Sequence, residues 1–193
     1  MRGDSVESPS QRAANLYHAG RHAEALNLCL SLAESPQVAP WILSLIGTMY
    51  FRGRGTKTDQ EEGLRWFRRA ADTGDPGALT FLSGFEQEAG RYATAKAMLE
   101  TAASQGYMRA VIQLGYLYDR GLGVPRDSKR AREYFRQAAN NGYVFGKRFL
   151  AGQLVRGDDG LLGIPRGLLM FLSALAQGVV MILKDRYSEK ARR

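Results

Sequence analysis

Few residues of this 193-residue chain could do chemistry: it has two histidines and one cysteine. His18 and His22, four apart, would share one helical face, but Gly20 lies between them and no Cys, Asp or Glu falls in register as a further ligand. A metal site usually needs three or four ligands in fixed geometry, so none is expected. The run Gly53-Arg54-Gly55-Thr56-Lys57-Thr58 has the residue types of a phosphate loop. That loop requires GxxxxGK[ST] between a strand and a helix, with backbone N–H groups around the phosphates. Here the glycine pair follows a helical pattern, and it recurs as Gly121-Leu122-Gly123, which makes it a structural turn. Glu61-Glu62 and Asp158-Asp159 fall at turns or helix starts, where acids favour the helix dipole. No serine, histidine and acid come together in a catalytic pattern. The expectation is a protein that is not an enzyme and binds no cofactor.

The elements that would position these residues repeat. Leu45-Ile46-Gly47-Thr48-Met49-Tyr50-Phe51-Arg52-Gly53 returns 68 residues later as Gln113-Leu114-Gly115-Tyr116-Leu117-Tyr118-Asp119-Arg120-Gly121, with Gly47 in register with Gly115. Ala70-Ala71-Asp72-Thr73-Gly74 returns at the same offset as Ala138-Ala139-Asn140-Asn141-Gly142. The distance from a small residue in the first motif to the closing glycine or proline acts as a ruler. It is 27 for Gly47–Gly74, Gly115–Gly142 and Ala151–Gly178, and 23 for Ala13–Pro36 and Ser83–Gly106. Five units of two lengths result, approximately 8–40, 41–76, 77–108, 109–144 and 145–178, between a tail at 1–7 and a terminal helix and tail at 179–193.

Each unit reads as two helices. Apolar residues recur at spacings of three and four around the small residue, as in Val111, Leu114, Gly115 and Tyr118, and continue through Ala131, Phe135 and Ala138. Cys29 shares its register with Leu99 and Phe135, which predicts a buried, inert thiol. Ser8-Pro9-Ser10-Gln11 reads as a capping box with proline at the first helical position. Gly74, Gly106, Gly142 and Gly178 are expected to end helices. No segment alternates like a strand, so the fold class is all-α.

The units with Ala19-Gly20-Arg21-His22-Ala23-Glu24-Ala25 and Ala89-Gly90-Arg91-Tyr92-Ala93-Thr94-Ala95 resemble tetratricopeptide repeats. The other three resemble the Sel-one-like repeat, which has a longer turn. Leu114-Gly115, Tyr118, Gly121-Leu122-Gly123-Val124, Asp127, Ala131 and Ala138-Ala139 through Gly142 make the fourth unit a near-consensus copy. The second departs at Thr56, where valine is usual, and at Gly63, where alanine is usual. The resemblance, over about residues 8–178, implies a right-handed α-solenoid whose first helices line a concave groove, with partners bound there. Some disulfide-rich members of that family are linked to β-lactams; their cysteine pairs are absent here.

On the groove side of the first helices, the pattern places Trp41, Thr48, Phe51 and Arg52, then Arg109, Ile112, Tyr116, Asp119 and Arg120, then Arg148 and Arg156. Arg52, Arg120 and Arg156 take one repeat position and should form a stripe, interrupted by Glu88. Net charge is +8, and it is lopsided: residues 97–193 hold 16 Lys/Arg against 8 Asp/Glu, whereas residues 1–96 are neutral. Arginines beside aromatics are a common hot-spot composition. The expected function is a non-catalytic adaptor or scaffold that binds an acidic peptide or protein face. Nucleic acid is not the expected partner, since no recognised nucleic-acid-binding motif is present.

Residues 167–183 contain no charge, and a basic stretch, Lys184–Arg193, follows. Seventeen residues are at the lower edge for spanning a bilayer. Val179-Val180-Met181-Ile182-Leu183 lacks a polar face, which would suit a partner, self-association or a membrane surface. A second functional reading is therefore a membrane-associated assembly or regulatory factor for a bacterial envelope or polysaccharide system. The polar start of the chain lacks a signal-peptide layout, so the expected location is cytoplasmic, with peripheral contact at the inner membrane face as the variant.

Overall fold

The computed structural model describes residues 7–155, 165, 167–173, 175–177 and 179–180. Helices α1 (Pro9–His18), α2 (His22–Leu32), α3 (Pro40–Arg52), α4 (Gln60–Asp72) and α5 (Pro76–Glu88) come first in the chain. They are followed by α6 (Tyr92–Ser104), α7 (Met108–Arg120), α8 (Ser128–Asn140) and α9 (Val144–Val155). Residues 167–173, 175–177 and 179–180 are also helical, and no strand occurs among the described residues. The chain divides into two compact units, Met1–Gly90 and Arg91–Arg193.

In the first unit, short oxygen-bearing side chains cap the starts of α1, α4 and α5, whereas α2 and α3 begin without one. Ser8 Oγ accepts from the Gln11 N–H at 3.2 Å, with Pro9 behind it. Asp59 Oδ1 accepts from the Glu62 N–H at 2.9 Å, and Asp75 Oδ1 from the Ala78 N–H at 2.7 Å. Asp75 Oδ1 also accepts from Ser44 Oγ at 2.6 Å, which ties the start of α5 to the middle of α3. Such caps contribute about 1 kcal/mol each by satisfying otherwise orphaned N–H groups.

Helices α3 and α4 meet backbone to backbone. A Cβ on Gly63 would lie 2.9 Å from both the Gly47 carbonyl oxygen and the Phe51 Cβ. Glycine at position 63, where alanine is usual in the resembled repeat, is thus required by this approach. Phe67 then stacks on Phe81 of α5, with ring centroids 4.1 Å apart, and Phe51 and Phe85 border the pair edge-on. Ala25, Cys29, Ile42, Leu43, Ile46, Met49 and Ala70 complete the core.

The second unit repeats this plan 68 residues on. A Cβ on Gly115 of α7 would lie 2.6 Å from the Phe135 ring of α8. Phe135 stacks on Phe149 of α9 at 4.9 Å, as Phe67 does on Phe81. Asp127 Oδ1 caps α8 through the Arg130 N–H at 3.0 Å, and Gly121 ends α7 in the left-handed region at φ 69°. The next turn glycine has a separate reason. A Cβ on Gly123 would overlap the Cβ of Tyr92, where α6 begins, and one on Gly55 would come within 2.5 Å of the His22 carbonyl, where α2 begins.

Gly74, Gly106 and Gly142 follow α4, α6 and α8 by two residues with positive φ, as the ruler requires. Gly178 lies outside the described residues, as do Arg156, the turn residues 157–163 and Met181–Arg193.

Two predictions follow from this packing. Gly142 has open space around it, so Gly142→Ala should cost only the left-handed strain, about 1 kcal/mol. Gly123→Ala adds the overlap with Tyr92, and Gly115→Leu forces the α7–α8 contact apart. Each should cost about 1–3 kcal/mol more, read from urea denaturation midpoints. Equal costs at positions 142 and 123 would remove the packing role of the turn. The second prediction concerns Cys29, which has no exposed surface and whose thiol burial pushes from the ordinary value of 9.0 to about 11. The folded chain keeps a proton that the unfolded chain releases. This contribution is therefore intact below about pH 9 and lost as pH rises through about 11, by at most about 3 kcal/mol. Cys29→Ala should flatten the alkaline fall in stability relative to the parent chain, and native Cys29 should resist disulfide exchange reagents at neutral pH.

Candidate partner-binding face

The second unit presents α7 and α9 side by side. Arg109, Tyr116 and Arg120 are exposed and lie on one stripe of α7, spaced seven and four apart, with Ile112 half-buried between them. Arg120 carries its guanidinium over the Tyr116 ring, 5.6 Å from the centroid. Tyr116 in turn meets Phe149 of α9 edge-on at 6.4 Å, and exposed Arg148 precedes Phe149. The result is an aromatic pair, Tyr116 and Phe149, with the Arg120 guanidinium over Tyr116, and Arg109 and Arg148 exposed on the same two helices. Neither Arg109, Arg120 nor Arg148 forms an ion pair among the described residues.

Asp119 does not belong to this surface, contrary to the sequence expectation. It is only 7% exposed, and its Oδ1 accepts from the Gln153 Nε2 of α9 at 2.9 Å. The Asp119 carbonyl accepts from Arg126 Nε at 3.0 Å. Position 119 lies one helical turn beyond Gly115, so its side chain follows the glycine toward the core side. With Asp119 engaged, α7 and α9 offer no accessible carboxylate.

Phe51 stands at the equivalent position of the first unit, 68 residues earlier, and it too turns inward. It is half-buried against Phe67, Phe81 and Phe85. Phe51 with Phe85 and Asp119 with Gln153 are one contact in two chemistries, apolar in the first unit and hydrogen-bonded in the second. The other first-unit candidates are dispersed. Trp41 is 40% exposed at the start of α3, Thr48 bonds back to the Ser44 carbonyl at 2.9 Å, and Arg52 is exposed at the helix end. Arg156, expected to extend the arginine stripe, lies outside the described residues. Phe149 and Gln153 escaped the sequence reading, although the 68-residue offset maps them onto Phe81 and Phe85.

Other chemistry has no geometric support. Tyr17 packs against both His18 and His22, at 5.8 and 5.0 Å between ring centroids, so both imidazoles have an aromatic neighbour. Among the described residues, no group of three or more His, Cys, Asp or Glu is placed to hold a metal. Burial raises the Cys29 thiol and, as the leading cause, the Tyr134 phenol. Both shifts run away from the ionised form that a nucleophile needs.

Known proteins share this arrangement. The family model described as Sel1 repeat matches residues 43–75 and 109–143, the segments that hold α3–α4 and α7–α8. A Sel1 repeat protein from Oxalobacter formigenes is 27% identical, with a TM-score of 0.74, over 92% of this chain and 76% of that one. c5321, a protective antigen of uropathogenic Escherichia coli strains displaying an SLR fold, is 26% identical, with a TM-score of 0.70. That match covers 88% of this chain but only 38% of the antigen. MamA, 14% identical with a TM-score of 0.52 over 94% of this chain and 97% of its own, is alike in fold alone. The glycine-spaced helix pairs at 43–75 and 109–143 match the Sel1 repeat, and the all-α chain is similar in fold to Sel1-repeat proteins.

Proposed function

We propose that this chain is a non-catalytic adaptor that binds an acidic peptide, or an acidic face of a protein, on the α7–α9 surface. Sel1 repeats in general mediate protein–protein contacts and are typically scaffolds rather than enzymes, which supports the broad class. The finer reading rests on one observation: Arg120 lies over Tyr116, Arg109 and Arg148 are exposed on the same two helices, and none has a carboxylate partner among the described residues. A guanidinium already held against a ring loses less rotamer freedom when it takes a carboxylate through paired N–H donors. Tyr116 and Phe149 add apolar area beside it, so an acidic segment carrying an aromatic or aliphatic residue fits best.

The test uses a fluorescein-labelled peptide of interleaved glutamate and phenylalanine as probe. Anisotropy titration should show binding that weakens as salt rises. Arg120→Ala with Arg148→Ala should lose about 2 kcal/mol of affinity with an unchanged melting temperature, because both side chains are exposed. Arg120→Lys, which keeps the charge but not the planar fork, should fall between the two. Parent-like affinity in the double variant, insensitive to salt, would refute this face as the site.

A further inference from the structure

Large apolar side chains that stay exposed are concentrated late in the chain. Leu168, Leu169, Leu172, Leu175, Val179 and Val180 are each more than half exposed, and Leu169 reaches 68%. They follow α9, and the helical residues that carry them have an inner side as well. Gly167 is buried, Met170 packs against the cluster of Tyr118, Ala131, Phe135 and Leu150, and Gln177 accepts from Lys147 Nζ of α9 at 3.1 Å. The segment is therefore seated on the second unit by one side, and its other side is apolar too. At 100° per residue, Leu168, Leu169, Leu172, Leu175 and Ala176 fall within one continuous arc of roughly 120°, without a charge, and exposed Val179 and Val180 follow in the chain.

A buried core helix would not expose this arc, and a solvated one would not build it from leucine and valine. An occupant is required, and charge selects among the candidates. After Glu133 the described residues include no carboxylate, whereas they include Arg136, Lys147 and Arg148. The sequence beyond the arc adds Lys184, Arg186, Lys190, Arg192 and Arg193 against Asp185 and Glu189. Two copies meeting through this arc would bring together two surfaces in which basic groups outnumber acids. No helix among the described residues is long and apolar enough to cross a membrane. An anionic lipid surface meets both requirements, since the arc can enter the acyl boundary while the basic groups remain among the headgroups.

We propose that the apolar segment 168–180 docks the protein onto an anionic membrane surface, lying in the interface rather than spanning it. This stands on observations separate from the arginine–tyrosine face of α7. The probe is a set of vesicles of phosphatidylcholine with or without phosphatidylglycerol, and the measurement is co-sedimentation of the full chain. Binding should require phosphatidylglycerol and weaken with salt without vanishing, because the apolar part does not depend on salt. Leu169→Glu with Leu172→Glu should reduce vesicle binding about tenfold or more. Circular dichroism and the melting temperature should stay unchanged, since both side chains point away from the core. A double lysine variant at the same two positions would keep the attraction but lose the insertion, and should also bind poorly. Absence of binding to anionic vesicles, or equal binding by the glutamate variant, would overturn the proposal. So would a concentration-dependent dimer in sedimentation velocity that the same substitutions dissolve, which would make a second copy the occupant.

Discussion

The fold depends on how closely two helices can approach where one of them has no side chain. At Gly47 and Gly63 the α3 and α4 backbones meet with no room for a Cβ, and at Gly115 the Phe135 ring occupies that room. The phenylalanine one turn beyond the crossing can then reach the first helix of the next repeat. Hence Phe67 stacks on Phe81, and Phe135 on Phe149. A side chain at the crossing would push the second helix outward and carry its phenylalanine off the neighbouring ring. The contact within a repeat therefore sets the contact between repeats inside each compact unit.

The turn glycines extend the same logic. The first, Gly53 or Gly121, supplies the left-handed residue that ends the first helix. The second, Gly55 or Gly123, lies against the opening residue of an earlier second helix, His22 or Tyr92. A run that resembles a phosphate loop by composition thus owes its second glycine to contact with the start of α2.

Periodicity made the backbone legible from sequence, and misplaced the side chain at one repeat position. Spacing gives the helix ends at Gly74, Gly106 and Gly142 and the buried thiol of Cys29, whereas the caps at Asp59 and Asp127 emerge only in the structure. Helical spacing alone places Asp119 on the groove side. The amide that makes its burial tolerable, Gln153, is 34 residues away and carries no local signal. The same spacing places Phe51, at the matching position, in the groove. Its partner Phe85 is likewise 34 residues away. A one-helix pattern cannot see such a pair, whereas aligning the two 68-residue copies would have shown both inner positions changing chemistry together.

That paired change bears on function. Position 119 is the only acid on α7, and Gln153 keeps its carboxylate inward, so the arginines of the α7–α9 face have no neighbour to neutralise them. In the first unit the same position is aromatic, and Phe51 joins a ring cluster rather than a charged surface. The second unit therefore carries both the excess of positive charge and the outward apolar arc, on different elements. An acidic partner and an anionic surface would each be drawn to the half of the sequence in which the whole net charge of +8 resides. A partner held on Arg109, Arg120 and Arg148 would neutralise part of the field that attracts lipid, whereas it would leave the leucines of the arc uncovered. The two contacts are thus coupled through charge and independent in their apolar parts.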